Sequence, residues 1–172
     1  MKALRDVIGK ELCWIQPRVL GRSFELKAQD ELLGTLSLKG LVGHQAEGEC
    51  DGRRWRFERR GAMGGNVFAR DLRSGHDVAT FRRRWRTTHF TFPDGRTLDW
   101  RRPGLFSMAR QVMDPQGGAL VSFSRRLRLF RIEIAVGIDT IAWGRPELPL
   151  LVTFGGYLLI ESSRRRHAAA SG

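Results

Sequence analysis

A chain of 172 residues with 41% hydrophobic and 28% charged residues has the composition of one globular domain. Such a chain can bury roughly 70% of its unfolded surface, so it needs neither disulfide nor structural metal to fold. Ten Phe and five Trp exclude a disordered chain, and only two cysteines, Cys13 and Cys50, exclude a disulfide framework or a CxxC-type zinc site. The formal net charge is +12, carried by 30 basic against 18 acidic residues.

That charge is unevenly distributed. Residues 1–52 carry seven basic and eight acidic groups, residues 53–131 carry nineteen and six, and residues 132–172 carry four of each. The positive field belongs to the middle segment. Lys occurs only at positions 2, 10, 27 and 39, so 26 of the 30 basic residues are Arg. Recognition of phosphate explains such a preference through the guanidinium fork, and a GC-rich coding bias explains it without function. Charges at Lys2, Arg5, Asp6, Lys10 and Glu11 interrupt any apolar stretch at the start, which predicts a cytoplasmic protein with reduced thiols.

Along the chain, Phe24-Glu25-Leu26 and Leu36-Ser37-Leu38 flank a turn at Gln29-Asp30-Glu31 and read as a first hairpin. Further turn signals follow at Asp51-Gly52, Ser74-Gly75, Pro93-Asp94-Gly95 and Asp114-Pro115-Gln116-Gly117-Gly118, about twenty residues apart. That interval holds two strands and two connections, hence a run of antiparallel hairpins. Between the turns, residues alternate. Trp55 and Phe57 share one parity against Arg54, Arg56 and Glu58, and Ala79, Phe81 and Trp85 oppose Thr80, Arg82, Arg84 and Arg86. Phe90 and Phe92, Leu98 and Trp100, and Val121 and Phe123 continue the apolar parity, and Phe130, Ile132, Ile134 and Val136 alternate with Arg131, Glu133 and Ala135. One buried face and one wet face per strand is the antiparallel signature.

The pattern breaks at the C-terminus. Leu148–Ile160 contains no charge, carries Pro149 in its first turn, follows Glu147 and precedes Arg164-Arg165-Arg166. All of these suit one helix that is apolar on every side, and so either buried or in a membrane. Thirteen residues at ~1.5 Å each reach about 20 Å, short of a ~30 Å bilayer core. The simplest architecture is therefore mainly β: an antiparallel meander closed into a barrel around a C-terminal hydrophobic helix. Residues 1–162 form one domain in this reading, with the central helix at about 147–161 and a basic, flexible tail at 163–172.

The Arg- and Trp-rich hairpins, the closing strand Phe130-Arg131-Ile132-Glu133-Ile134, the Ile138-Asp139 step and the terminal apolar helix resemble the tubby C-terminal-like group, which includes LURP-one-related and phospholipid scramblase-like proteins. The likeness spans roughly residues 20–162. It implies a barrel of about twelve strands around a central helix. Tubby members bind phosphoinositides through basic barrel residues, so it also implies an anionic lipid partner.

No catalytic constellation emerges. His44 lies near Glu47, Glu49 and Cys50 without a second His or Cys at ligand spacing, and His76-Asp77 belongs to a turn. His89 falls on the polar face of a strand, and the Gly61–Asn66 stretch precedes a strand where phosphate loops precede helices. These readings predict no cofactor and no metal. The functional signal is the basic surface. Arg82, Arg84 and Arg86 would form a ridge about 13 Å long at ~3.3 Å per residue, with Arg101 on the strand after next, and Arg125, Arg126 and Arg128 near the end of the meander. Such a ridge suits an anionic membrane surface or an acidic partner. The alternative is a solvated face paired with Asp71, Asp77 and Asp99. Arg83 is the odd member, since its parity sets it among Phe81 and Trp85, which calls for an interior ion pair or a bulge. The expected function is a non-enzymatic binding module. A nucleic-acid-binding β domain would need exposed aromatics, and a tail-anchored protein would need Leu148–Ile160 to leave the core.

Overall fold

The computed structural model describes residues 1–19, 21–40, 45–61, 65–83, 87–104, 107–128 and 131–170, with Leu127, Arg128 and 167–170 described through their backbone alone. Twelve strands follow one another: β1 (Leu12–Ile15), β2 (Ser23–Ala28), β3 (Glu31–Lys39), β4 (Gln45–Cys50), β5 (Arg53–Arg60), β6 (Asn66–Asp71), β7 (Asp77–Arg83), β8 (Thr88–Thr91), β9 (Thr97–Arg101), β10 (Arg110–Met113), β11 (Ala119–Arg128) and β12 (Arg131–Ile138). A 3-10 turn at Thr140–Ala142 leads into a single α-helix, α1 (Leu148–Ala170).

The turns obey the chemistry of their residues. Asp51 and Gly52, at φ 51° and 69°, close β4 onto β5 as a two-residue hairpin whose backbone twist matches that of its strands. Elsewhere an aspartate does the work. Asp71 Oδ1 accepts the backbone N–H groups of Arg73 (2.8 Å) and Ser74 (2.9 Å), and Asp114 Oδ1 accepts those of Gln116 (3.0 Å) and Gly118 (2.7 Å). All these even-to-odd connections lie at one end of the sheet. The odd-to-even connections lie at the other.

Every strand pairs antiparallel with its sequence neighbours, and β1 pairs with β12 through Leu12↔Val136 and Trp14↔Ile134, which closes the barrel. Closure removes all sheet edges. The closing strand β1 has no counterpart in the sequence reading, because Leu12-Cys13-Trp14 are all buried and show no alternation. The four-residue β10 was likewise too short to show a period. The inward parities of Trp55, Phe57, Ala79, Phe90, Leu98, Val121, Phe123, Ile134 and Val136 are as expected, since each is buried.

A twelve-stranded barrel is wider than the eight-stranded size that strand side chains fill unaided. Here α1 fills the lumen. From Leu148 to Ile160 every residue is buried, and no helix among the described residues is long and apolar enough to cross a membrane. The helix continues through Ala170, so the basic segment expected as a flexible tail is helical instead. Local bonds carry it past the last apolar residue: Ser163 Oγ donates to Leu159 O (2.7 Å), and Arg165 pairs with Glu161 one turn earlier (2.7 Å).

Close approach fixes the helix laterally. A β-carbon at Gly156 would lie 2.5 Å from Trp14 Nε1, one at Gly155 would meet the Phe123 ring, and one at Gly48 would lie 2.5 Å from Thr153 Cγ2. The Trp14 indole N–H donates to Val152 O at 3.3 Å, tying the closing strand to the filler. Phe154 stacks on Phe57 with ring centroids 4.9 Å apart and packs edge-on to Phe90 at 5.2 Å.

Two predictions follow from this packing. Gly156→Ala gains about 1 kcal/mol of helix propensity but forces Trp14 aside at an overpacking cost of roughly 1–3 kcal/mol, so its urea midpoint falls and that of Gly156→Leu falls further. An unchanged midpoint for both would show that Trp14 yields freely. Burial, reinforced by the Asp51 carboxylate, pushes the Cys50 thiol up to about 12. With Cys13 also buried, both thiols should resist a disulfide reagent at pH 8 and react once the chain is unfolded in urea.

Candidate functional site

Antiparallel order brings the C-terminal ends of the odd strands, the N-terminal ends of the even strands and the C-terminal turns of α1 to one mouth of the barrel. Arginines occupy many of these positions. Arg59 near the end of β5, Arg83 ending β7, Arg102 following β9, Arg110 opening β10, Arg125 on β11, and Arg165 and Arg166 on α1 line a cavity of about 350 Å³. Phe81, Trp100, Met108, Leu158 and Leu159 supply its apolar wall.

Among the described residues one carboxylate serves this group. Glu161, itself buried, accepts from Arg59 Nη2 at 2.7 Å and Nε at 3.2 Å, and from Arg165 Nη2 at 2.7 Å. Arg59 also donates to Gly65 O at 2.7 Å. Burial opposes its charge, but the Glu161 carboxylate outweighs that and raises its pKa. Arg83, Arg102, Arg110, Arg125 and Arg166 form no ion pair with any described residue. Burial, aggravated by the nearby charges of Arg102, Arg125 and Arg166, lowers the pKa of Arg110. Burial and Arg166 do the same to Arg125. Arg125 donates to Leu159 O at 3.3 Å and to Ser162 Oγ, while its Nε is buried without an acceptor among the described residues.

The anticipated surface set is dispersed. Arg82 is exposed on β7, and Arg84 and Arg86 lie outside the described residues, as does Trp85, so the ridge has only its first member on the described surface. Arg101 is paired with Asp99, and Arg126 is held by Glu11 and, at 3.3 Å, by Glu133. The backbone of Arg128 pairs with Arg131 at the end of β11, and its side chain lies outside the described atoms. Arg125 departs from the expected cluster: it shares the parity of Val121 and Phe123 and enters the mouth. Arg83 departs from both readings offered for it. It pairs in register with Thr88, with no bulge in that ladder and no ion pair among the described residues, and its inward parity carries it to the rim.

Elsewhere on the outer wall, carboxylates pair with several arginines. Asp77 binds Arg60 (2.9 Å) and Arg70 (3.1 Å), and Glu47 binds Arg56 (2.9 Å) and Lys39 (3.7 Å). Cys50 points inward while Glu47 and Glu49 point outward, so the His44 neighbourhood does not converge on one point, and His44 itself lies outside the described residues. Among the described residues no three His, Cys, Asp or Glu side chains are grouped as metal ligands.

The mouth makes opposite demands on stability. Glu161→Gln strands the Arg59 guanidinium and should cost about 3 kcal/mol in urea unfolding. Arg110→Met relieves uncompensated repulsion and should raise Tm by about 2–4 °C. A Tm that falls for Arg110→Met would mean that its aliphatic stem, and not its charge, dominates.

No family model, no curated protein and no solved structure matches this chain.

Proposed function

We propose that this protein is a non-enzymatic binding module for an anionic ligand, taken at the arginine-lined mouth of the barrel. The carrying observation is the set of five arginines around one recess that form no ion pair with any described residue, whereas Arg56, Arg60, Arg70, Arg101 and Arg126 on the outer wall are each held by a carboxylate. Partly buried positive charge without a counter-charge, as at Arg110 and Arg125, is costly unless something neutralises it, and phosphate or carboxylate oxygens match the guanidinium fork. Perturbed groups gathered in a cleft mark binding sites more often than ordinary surface. The tubby-like resemblance favours the same class of ligand, an anionic lipid headgroup or other acidic partner. It does so through a basic barrel surface, whereas the mouth draws on inward-facing residues.

A nucleic-acid strand is less well served. Trp55 and Phe90 are fully buried, and an extended backbone needs a groove where this chain offers a recess. The tail-anchor reading loses its segment, since Leu148–Ile160 is enclosed by the barrel.

The test pairs sedimentation with vesicles of phosphatidylcholine alone or with phosphatidylserine, and calorimetry with inorganic pyrophosphate, each at low and high salt. Salt-sensitive binding to at least one anion is expected, weakened at least tenfold in the double variant Arg110→Gln/Arg125→Gln and retained in Arg82→Gln/Arg101→Gln. Binding that is indifferent to Arg110 and Arg125 would overturn the assignment to the mouth.

A further inference from the structure

The cavity has a second kind of wall. Among the described inward-facing aromatics of the strands, Trp14, Phe24, Trp55, Phe57, Phe90 and Phe123 are buried, whereas Phe81 and Trp100 keep part of their surface exposed. Those two line the cavity. They stand edge to face, with centroids 6.0 Å apart and planes at 89°, and Phe90 and Phe123 hold them from behind: Phe81 to Phe90 is 5.2 Å and Trp100 to Phe123 is 5.6 Å. Leu158 and Leu159 of α1 complete the apolar side. Among the described strand residues, inward aromatic surface is left open only beside the arginines of the mouth.

An inorganic ion would satisfy the guanidinium groups and leave the rings wet. A membrane surface would meet the rim, because a recess of about 350 Å³ is of the size that takes one small molecule. We infer that the ligand is a small, soluble organic phosphate bearing a planar ring, seated with its ring against Phe81 and Trp100 and its phosphate between Arg110 and Arg125. This rests on the anion-binding reading above and specifies it. Ring contact supplies selectivity, since aromatic pairs in T-shaped or offset geometry and buried ring area favour an aryl over a methyl substituent. Arginine supplies the electrostatic attraction that every phosphate shares. Glu161 also lines the cavity, but it is engaged by Arg59 and Arg165 and leaves Arg110 and Arg125 to the ligand.

The experiment is calorimetric titration of the full chain at low salt with phenyl phosphate, methyl phosphate and inorganic phosphate. Phenyl phosphate should bind at least tenfold more tightly than methyl phosphate. Trp100→Leu should erase that advantage while leaving methyl phosphate affinity within about twofold. Phe81→Leu should narrow it in the same way, which secures the result should either variant fold poorly. Arg110→Gln/Arg125→Gln should weaken all three. Equal affinities for phenyl and methyl phosphate, or an aryl advantage that survives in both ring variants, would overturn the inference and leave the anion-binding reading standing. Absence of binding by all three phosphates, together with no retention on anionic vesicles and no binding of pyrophosphate, would overturn both.

Discussion

An antiparallel sheet of twelve strands can escape edge exposure by closing, but closure at that size encloses a void that strand side chains alone do not span. One helix occupies the void, and the rest of the architecture adjusts to it. Its diameter with side chains, ~10–12 Å, sets where large rings fit and where none can. Glycines at 155 and 156 admit Phe123 and Trp14, Gly48 admits Thr153, and Phe154 inserts between Phe57 and Phe90. The interior is keyed side chain to side chain, which is why the helix is uniformly apolar over thirteen residues.

A filled lumen also dictates where polarity can live. At the end where the helix begins, buried Glu147 is met by Arg96 (3.1 Å) and Arg145 (3.6 Å), and Arg53 donates to Pro146 O (2.9 Å), so that end is electrostatically closed. The opposite end is different. There the helix leaves its apolar stretch, one carboxylate faces seven arginines among the described residues, and space remains between them. The two ends share one scaffold and one helix. They differ in charge compensation: Glu147 is met by two arginines at one end, and at the other five arginines have no ion pair among the described residues.

The fold was largely legible because its information is local and periodic. Alternation in strands such as 53–57 and 131–136, aspartate and glycine at the turns, and thirteen uncharged residues before a run of arginines each report one physical constraint. Elements whose constraint is global were not legible. Leu12, Cys13 and Trp14 of β1 are all buried, so the closing strand shows no period. The anchoring of Glu161 to Arg59 spans 102 residues of chain. The arginine-lined mouth escaped the sequence reading for a related reason. Searching for ligand contacts on polar parities selected Arg82, Arg101 and Arg126, two of which spend their charge on nearby acids. The informative residues were those that break the apolar parity at strand ends, Arg83 and Arg125, together with Arg110 at the start of a short strand. A charged residue on an inward position is expensive within the barrel and permissible only at its rim. That rule would have found them.

The pairing of β1 with β12 bears on how the chain reaches this state. Leu12 must find Val136, and the helix that fills the ring follows every strand it supports. Closing so long a loop and ordering non-local strand pairs are slow steps relative to hairpin formation. During synthesis from the N-terminus at ~5–20 residues per second, eleven strands can zip into a curled, open sheet whose hydrophobic face has nothing to cover it. Its two free edges persist until β12 and α1 emerge. The interval in which this protein is most exposed to edge-to-edge association is thus set by the position of its filler helix in the chain, and a nascent-chain chaperone would have its substrate in the open sheet.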